Sequence, residues 1–400
     1  MGDVYSESVA LHKKYQGKLG VAPIVSVKDR ADLSLVYTPG VAQVCREVAR
    51  DPNESFALTM RGRTVAVISD GSAVLGLGNI GAEAAMPVME GKALLFKQFG
   101  GVDAVPLCVD LHTADELVNF VRAVAPSFGG INLEDIASPL CIEVEDRLQD
   151  IGIPVMHDDQ HGTAIVVSAA LMNAAKVVGK KYEELKVVIS GAGSAGLAIA
   201  QMLLSLERKD GKLVEGAGRK VGQVTLVDSK GIIVAGRAGV DGWKAEFAKF
   251  TNPEQKMGGL AEAVASADAF IGVSQPGVIT AEMVKTMAHD AIVLAMANPE
   301  PEILPEAAKR GGARIVGTGR SDFANQINNS LVFPGLFRGL LDSHATKITV
   351  GIKQAARDAL ASAIVPTEGA ILPPMFTPGV PDLIAKAVAE QVKKEGLERK

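Results

Sequence analysis

Two patterns of apolar residues occur along the first 156 residues of the chain. Short continuous apolar runs predict buried strands, whereas apolar residues that recur every three or four positions predict helices with one buried face. From about residue 21 the two spacings mix, so this first zone predicts an α/β unit. The predicted strands are 64–68, 102–109 and 153–156, and the predicted helices are 83–99 and 113–124.

A regular alternation of strands and helices follows between residues 158 and 328. Units of this kind imply parallel strands that are joined by right-handed helical crossovers. Residues 207–223 are charged and rich in glycine, so we interpret them as a surface insertion before the second strand of this zone. The predicted strands are 185–190, 224–227, 269–273, 292–295 and 314–316, and the helix after the first of them is 197–206.

The last zone, residues 329–400, is largely helical, and its final helix 382–395 places Ile384, Val388 and Val392 on one face. The three zones together predict an α/β protein with two domains. A Rossmann-type, doubly wound parallel sheet is expected over 158–328, and a separate α/β substrate domain over 1–157, completed by the C-terminal helices of 329–400. We expect the active site in the cleft between the two domains.

Composition narrows the class of protein. Hydrophobic residues make up 48% and charged residues 22% of the 400 positions, which is an ordinary globular balance. The net charge of −5, without a long basic run, gives no reason to expect nucleic acid or membrane as a partner. The longest charge-free apolar stretch, 162–175, is too short to span a bilayer. Three isolated cysteines and the lack of a signal-peptide core indicate a cytoplasmic protein with reduced thiols.

A glycine motif of the GxGxxG type follows the predicted strand 185–190 directly and opens a predicted helix. It reads Gly191-Ala192-Gly193-Ser194-Ala195-Gly196. Gly191 permits a tight turn, Gly193 lets the backbone approach a pyrophosphate, and Gly196 lets the helix lie close to the strand. The N–H groups at the helix start then point at the phosphates. The motif therefore predicts an oxidoreductase that depends on a dinucleotide.

The choice between NAD and NADP depends on Asp228, which ends the second strand of this zone. A carboxylate there can accept hydrogen bonds from the ribose hydroxyls and would repel a 2′-phosphate, which favours NAD. Lys230, two residues further on, could instead attract that phosphate. The sequence leaves both cofactors possible, with NAD slightly favoured.

Two pairs of adjacent acids stand out as candidate metal ligands: Glu134 with Asp135, and Asp158 with Asp159. Carboxylate oxygens suit Mg²⁺ or Mn²⁺, and the second pair follows a predicted strand, where α/β sites open. His157 and His161 have the spacing of a zinc-protease helix. We reject that interpretation because Asp158 stands where the protease has Glu, and because Gly162 is a poor residue inside a helix.

Several further stretches occur in a fixed order along the chain. They are VYTPGV at 36–41, SDG at 69–71, LGLGNIG at 75–81, EGKA at 90–93, LEDI at 133–136, DDQHGTA at 158–164, ANP at 297–299 and NN at 328–329. In this order they resemble the malic enzymes, specifically the short prokaryotic form, over nearly the whole chain. The resemblance implies oxidative decarboxylation of (S)-malate to pyruvate and CO₂ with reduction of NAD or NADP, a need for Mg²⁺ or Mn²⁺, and decarboxylation of oxaloacetate.

The same resemblance assigns roles to the reacting groups. Lys92 is implied as the general base for the C2 hydroxyl of malate, and this role requires a depressed lysine pKa. Tyr37 is implied as the acid that protonates C3 of enolpyruvate. The implied metal ligands are Glu134, Asp135 and Asp159, which would let the ion polarise the C2 oxygen.

Binding residues and assembly follow from the resemblance as well. Asn298 and Asn329, together with Lys92, are implied to hold the substrate, and Asn298 and Thr163 are also expected at the cofactor. Larger malic enzymes carry an arginine after the aspartate and glycine of the SDG motif, but here 72–74 reads Ser-Ala-Val. The carboxylates of malate must therefore be bound by other residues. The family-level expectation for the assembly is a homodimer.

Two other functions remain open from the sequence. A malolactic decarboxylase of the same architecture would release lactate without net reduction of the cofactor. A non-catalytic dinucleotide sensor would need neither Tyr37 nor Lys92 nor three metal carboxylates, so the presence of all of them argues against it.

Overall fold

A parallel sheet of four strands, in the order β2-β1-β3-β4, lies in the first part of the chain. The computed structural model describes residues 3–74, 77–209 and 211–399. Leu75 and Gly76, which belong to the LGLGNIG stretch, lie outside the described residues. The strands are β1 (Thr64–Ser69), β2 (Asp103–Cys108), β3 (Gly130–Leu133) and β4 (Val155–His157).

Three of these strands agree with the prediction, and β3 was not predicted. It has only four residues, and the polar Asn132 interrupts its apolar run. The helices of this part are α1 (Val4–Tyr15), α2 (Arg30–Val36), α3 (Val41–Arg50), α4 (Glu54–Leu58), α5 (Ala82–Gly100), α6 (Ala114–Val124) and α7 (Leu140–Asp146).

A second sheet confirms the Rossmann-type prediction, since five of its strands run parallel in the order β12-β11-β10-β5-β8 and β9 is added antiparallel at one edge. The chain order changes direction at β5, so the cleft expected at a topological switch point lies at the end of that strand. The strands are β5 (Lys186–Ser190), β8 (Gln223–Asp228), β9 (Gly231–Ile232), β10 (Ala269–Gly272), β11 (Ala291–Ala295) and β12 (Ala313–Thr318).

The predicted surface insertion contains an antiparallel hairpin, β6 (Leu206–Lys209) and β7 (Lys212–Glu215). The helix before it ends earlier than predicted, because Leu206 already belongs to β6. The helices of this part are α8 (Asp158–Val177), α9 (Ser194–Leu203), α10 (Gly242–Phe247), α11 (Leu260–Val264), α12 (Ala281–Lys285) and α13 (Pro305–Arg310).

Helix α8 differs from the sequence-based expectation, which counted Gly162 against a helix. Gly162 lies inside α8, and its lack of a side chain is required there. A Cβ atom at this position would lie 1.9 Å from Oδ1 of Asp158, one turn earlier. The helix can therefore run past this buried carboxylate only with glycine at residue 162.

The C-terminal helices pack back onto the first part of the chain. They are α14 (Phe333–Asp342), α15 (Val350–Ser362) and α16 (Val380–Glu395). Helices α14 and α16 contact α5, and α15 contacts the central α8. In α16 the apolar face predicted from the sequence is buried. None of the described helices is both long and apolar enough to cross a membrane.

Candidate active site

Three acids meet at the carboxyl edge of the first sheet. Glu134 and Asp135 directly follow β3, and Asp159 lies in the first turn of α8, directly after β4. Because β3 and β4 are neighbouring parallel strands, their ends bring these carboxylates to one place. One oxygen from each acid lies within 4.8 Å of the others. The structure thus brings together the three residues that the resemblance implied as metal ligands.

The chemistry of this donor set fits a hard divalent cation such as Mg²⁺ or Mn²⁺, which prefers carboxylate oxygens. Glu134 and Asp135 are buried, whereas the side chain of Asp159 is 37% exposed and leaves one side open. Burial raises the pKa of Glu134 well above its ordinary value, and the neighbouring carboxylates raise it further, although Lys92 opposes this. Positive charge at the cluster would relieve this repulsion.

Lys92 lies on the buried face of α5 and points into the acidic cluster. Its ammonium donates to Oδ2 of Asp158 at 2.6 Å, and it lies 2.7 Å from Oε1 of Glu134. The ring of Phe333 covers the ammonium at 4.2 Å. Burial lowers the pKa of Lys92, but the three carboxylates around it prevail and raise that pKa above its ordinary value. The expected depressed pKa is therefore absent from this arrangement, because the negative charges outweigh the desolvation.

Asp158 was named with Asp159 as a candidate metal-ligand pair, but the resemblance assigned it no role. It is fully buried, and its Oδ2 also accepts a hydrogen bond from Nδ2 of Asn329 at 2.6 Å. Burial raises the pKa of Asp158, and the charge of Lys92 opposes that rise. The sequence feature that pointed to Asp158 was its position directly before Asp159. At the start of a helix two neighbours point in different directions, so Asp159 joins the three-carboxylate cluster while Asp158 binds Lys92 and Asn329.

A buried ionic network fixes the start of α8 from the side of α7. The carboxylate of Glu145 accepts hydrogen bonds from the backbone N–H of His157 and from Nε2 of His161. Nδ1 of His161 accepts from Lys353 on α15 at 3.0 Å. Burial lowers the pKa of His161 to about 4 and that of Lys353 to about 8. His161 is thus a neutral structural residue, which supports the rejection of the zinc-protease interpretation.

The glycine motif forms a turn between β5 and α9 at the switch point of the second sheet. Gly191 has φ of 110°, a conformation that favours glycine. A Cβ atom on Gly196 would lie 1.7 Å from the carbonyl oxygen of Gly191, so the helix could not approach the turn. A Cβ atom on Gly193 would meet nothing within 4 Å. Gly193 therefore borders open space, as a site for a pyrophosphate requires.

A cavity of about 1100 Å³ extends from this turn. It is lined by Gly191 and Gly193, by Asp228 and Lys230, and by Pro139 from the first part of the chain. Its volume slightly exceeds the usual range for small-molecule sites, so it is large enough for a dinucleotide. The cavity thus joins the glycine turn of the second sheet to the segment that follows Glu134 and Asp135.

Two family models match this chain and together cover most of it. The malic enzyme N-terminal domain matches residues 16–149, and the malic enzyme NAD-binding domain matches residues 160–396. The chain belongs to the malic enzyme family.

Individual members of the malic enzyme family match over almost the full length of this chain. The bifunctional malic/malolactic enzyme of Bacillus subtilis (strain 168) is 49% identical over 398 residues, which are 98% of this chain and 94% of the relative. The NADP-dependent malic enzyme of Haemophilus influenzae is 45% identical over 95% of this chain, but this covers only 51% of the relative. The solved malic enzyme from Pyrococcus horikoshii Ot3 has a TM-score of 0.92 at 46% identity, covering 100% of this chain and 92% of that one.

Within this malic enzyme fold, Asp228 is surrounded by cations. Its Oδ2 accepts hydrogen bonds from Arg237 at 2.7 Å and from Lys244 at 3.1 Å, and its Oδ1 accepts from the backbone N–H of Lys230 at 2.9 Å. Burial raises the pKa of Asp228, but these hydrogen bonds prevail and lower it to about 2. The carboxylate is therefore ionised at neutral pH. Lys244 lines the cavity and Arg237 reaches it through Asp228, and the sequence-based assignment named neither cation.

The remaining implied site residues differ in their exposure. Asn298 is exposed in the loop after β11, and Thr163 is half-buried one turn after Asp159 in α8. Tyr37 ends α2 with 67% of its surface exposed. Among the described residues, no hydrogen bond or ion pair connects its side chain with Lys92 or the acids. Among the described residues, the hydrogen bonds and ion pairs therefore connect Lys92 with Glu134, Asp158 and Asn329, but not with Tyr37.

Proposed function

We propose that this protein oxidises and decarboxylates (S)-malate to pyruvate and CO₂, with reduction of NAD or NADP and with Mg²⁺ or Mn²⁺ as the metal. The observation that carries the proposal is the arrangement around Lys92, a buried ammonium held between Glu134 and Asp158 beside the three-carboxylate cluster. A dinucleotide-binding protein that only senses its ligand has no use for this group. Decarboxylation of oxaloacetate belongs to the same proposal, because it needs only the second half of the reaction.

Proton transfer at C2 is assigned to Lys92 and Asp158. Lys92 in its neutral form takes the hydroxyl proton of malate, while Asp158 fixes the amine through the 2.6 Å hydrogen bond. A divalent cation at the three carboxylates would supply positive charge that polarises the C2 oxygen and offsets the groups that keep Lys92 protonated. NAD(P) at the glycine turn would supply the hydride acceptor.

Binding and the final protonation are assigned to the remaining residues. Asn329 is fixed by Asp158 and would hydrogen-bond a substrate carboxylate, with Asn298 and Thr163 on the cofactor side. Tyr37 would protonate C3 of enolpyruvate. The metal ligands are proposed as Glu134, Asp135 and Asp159.

The proposed domains follow the two sheets. The first sheet lies within 1–157 and the second within 158–328, and two of the three helices after residue 329, α14 and α16, pack on α5. This supports a substrate domain made of 1–157 and 329–400 around a cofactor domain of 158–328. We also propose a homodimer as the assembly.

The proposal is tested by steady-state kinetics with malate and Mn²⁺, with NAD and NADP in turn. We expect pyruvate and reduced cofactor in equal amounts, and no turnover after the metal is removed with a chelator. Cofactor binding by the metal-free protein, measured by titration, should persist. Binding without any turnover in the presence of Mn²⁺ would contradict the enzyme and support a sensor.

A malolactic activity is the second candidate. It is favoured by the match with the Bacillus subtilis relative, which is named as a bifunctional malic/malolactic enzyme. The same assay distinguishes the two, because lactate would form without accumulation of reduced cofactor.

A further inference from the structure

Glu302 is a fully buried carboxylate at the carboxyl edge of the second sheet. It lies between β11 and α13, in the loop that also carries Asn298. A charged side chain is rarely buried completely unless other groups satisfy it. The hydrogen-bond partners of Glu302 therefore indicate what this carboxylate does.

The carboxylate of Glu302 bridges two loops. Its Oε1 accepts a hydrogen bond from the backbone N–H of Ser274 at 2.8 Å, and its Oε2 accepts from the backbone N–H of Ala297 at 3.0 Å. Ser274 lies in the loop after β10, and Ala297 lies in the loop after β11. Hydrogen bonds to a charged acceptor are roughly twice as strong as neutral ones. One side chain thus holds the two loops at a fixed separation.

Strand β10 leaves room for this carboxylate by ending in a glycine. A Cβ atom on Gly272 would lie 2.3 Å from Cδ of Glu302. Burial raises the pKa of Glu302, and the hydrogen bonds from Ser274 and Ala297 oppose that rise. The buried carboxylate is therefore matched by the strand beside it as well as by its two backbone donors.

The loop after β10 forms part of the cofactor cavity. Ser274 lines the cavity together with Ser190 and Gly191, and the hydroxyl oxygens of Ser274 and Ser190 lie 3.1 Å apart. A Cβ atom on Gly191 would lie 2.5 Å from the carbonyl oxygen of Val273, so this loop packs directly against the glycine turn. The position of the loop after β10 therefore determines part of the cavity wall.

The loop after β11 carries Asn298, the residue directly after Ala297. The side chain of Asn298 lies over Gly319, since a Cβ atom there would be 3.2 Å from Nδ2 of Asn298. A dinucleotide lies across the switch point of such a sheet, with one half on each side. Asp228, the residue proposed for the adenosine ribose, ends β8 on one side of β5. The loops after β10 and β11 therefore lie on the side of the nicotinamide half.

We infer that Glu302 is a positioning residue for the nicotinamide half of the cofactor and for Asn298. The inference rests on the proposed function, which brings malate and the nicotinamide ring together on this side of the sheet. Hydride transfer requires one geometry of the two reacting carbons, and a misplacement of about 1 Å can cost roughly 10²-fold in rate. Glu302 holds both loops and thereby fixes the ring and the amide of Asn298 relative to each other.

Glu302→Gln tests this role with little change of shape. Glutamine keeps one acceptor oxygen, so its NH₂ group meets one of the two backbone N–H groups as a second donor. In titrations with Mg²⁺ present, we expect the Kd for NAD or NADP to rise about 10-fold. The Kd for ADP, which contains only the adenosine and pyrophosphate part, should stay unchanged. Glu306→Gln is the matched control, since Glu306 is exposed on α13 and should alter neither Kd.

Two results of these titrations would overturn the inference. Equal losses of affinity for ADP and for the dinucleotide would show that Glu302 supports the second sheet as a whole. An unchanged Kd for the dinucleotide would show that the nicotinamide half does not depend on this carboxylate.

A double-mutant cycle tests the action through Asn298. At saturating cofactor, Glu302→Gln should raise the KM for malate about 10-fold, because the amide of Asn298 is displaced. In a chain that already carries Asn298→Ala, Glu302→Gln should raise this KM no further. Increases that multiply would show that the two residues act independently, and they would contradict the inference.

Hydrogen exchange of the wild-type protein tests the bridge without any substitution. The backbone amides of Ser274 and Ala297 should exchange about 100-fold more slowly than that of Glu300, which is exposed in the loop after β11. Equal rates would overturn the inference, whether or not the variants fold. Neither exchange nor the titrations involve malate. A wild-type protein that does not oxidise malate therefore contradicts the proposed function, whereas these measurements decide on Glu302.

Discussion

The carboxyl edges of the two sheets are built in opposite ways. At the first edge, buried side chains carry the chemistry, and Lys92, Glu134 and Asp158 hold one another by charge. At the second edge, Gly191, Gly193 and Gly196 work through the absence of side chains, and a cavity of about 1100 Å³ lies open beside them. The first edge therefore depends on the identity of each charged group, whereas the glycine turn of the second edge depends on backbone shape.

The largest effect is expected from Lys92→Ala. The variant removes the proposed base, and loss of a general acid or base costs about 10²- to 10⁴-fold in turnover. Cofactor affinity, measured by titration, should be unchanged because the second edge is intact. Lys97→Ala is the matched control on the same helix, since Lys97 is exposed and pairs with Asp103 at 2.7 Å, away from the acidic cluster. Near wild-type turnover of Lys92→Ala would remove it as the base.

Asp158→Asn is expected to be the next most harmful change. It leaves the hydrogen bond to Asn329 possible but removes a negative charge that raises the pKa of Lys92. A lower pKa means that Lys92 loses its proton at lower pH. The acidic limb of the pH profile of kcat/KM should therefore move to lower pH, while kcat falls about 10²-fold because the amine is less well fixed. An unmoved limb would show that Asp158 does not act on the ionisation of Lys92.

Much of the difference between the two sheet edges could be predicted from the sequence. The glycine turn was predictable because its function is local, and strand, turn and helix follow each other within a dozen residues. The structure brings Glu134, Asp135 and Asp159 together as the resemblance implied, although β3, the strand before the first two, was not predicted. The ionisation of Lys92 was not predictable, since it depends on carboxylates that are distant in sequence. The structural role of Glu145 was not predictable either, because it depends on the packing of α8 and α15 around this carboxylate.

The second edge is tested by two glycine substitutions with different expected consequences. Gly193→Ala should leave the thermal unfolding midpoint unchanged, because its Cβ meets no protein atom within 4 Å. It should raise the KM for the cofactor about 10-fold, or about 1.4 kcal/mol, since the methyl group would occupy the place of the pyrophosphate. At saturating cofactor, kcat should stay close to that of the wild type.

Gly196→Ala supplies the contrast. Its Cβ would lie 1.7 Å from the carbonyl oxygen of Gly191, so the helix must shift and the unfolding midpoint should fall together with cofactor affinity. If Gly193→Ala lowered stability as much as Gly196→Ala, the open space at Gly193 would be needed for folding and not for a ligand.

The smallest effect is expected at Asp228, because it concerns the choice between two cofactors that both fit the glycine turn. In Asp228→Ser, Arg237 and Lys244 lose their carboxylate partner and become available to a 2′-phosphate. The ratio of kcat/KM for NADP to that for NAD should rise about 10-fold, which corresponds to roughly 1.4 kcal/mol.

The pH dependence of that ratio gives a further check. The pKa of Asp228 is lowered to about 2, so its interaction with Arg237 and Lys244 is fully present above the ordinary pKa of 3.8 and is lost only as the pH falls towards 2. The carboxylate stays ionised at about pH 6 to 8. In this range Asp228 should therefore contribute a constant preference for NAD in the wild type. If Asp228→Ser kept the cofactor preference of the wild type, the choice between NAD and NADP would depend on the cations alone. The second edge would then select its cofactor without any acid.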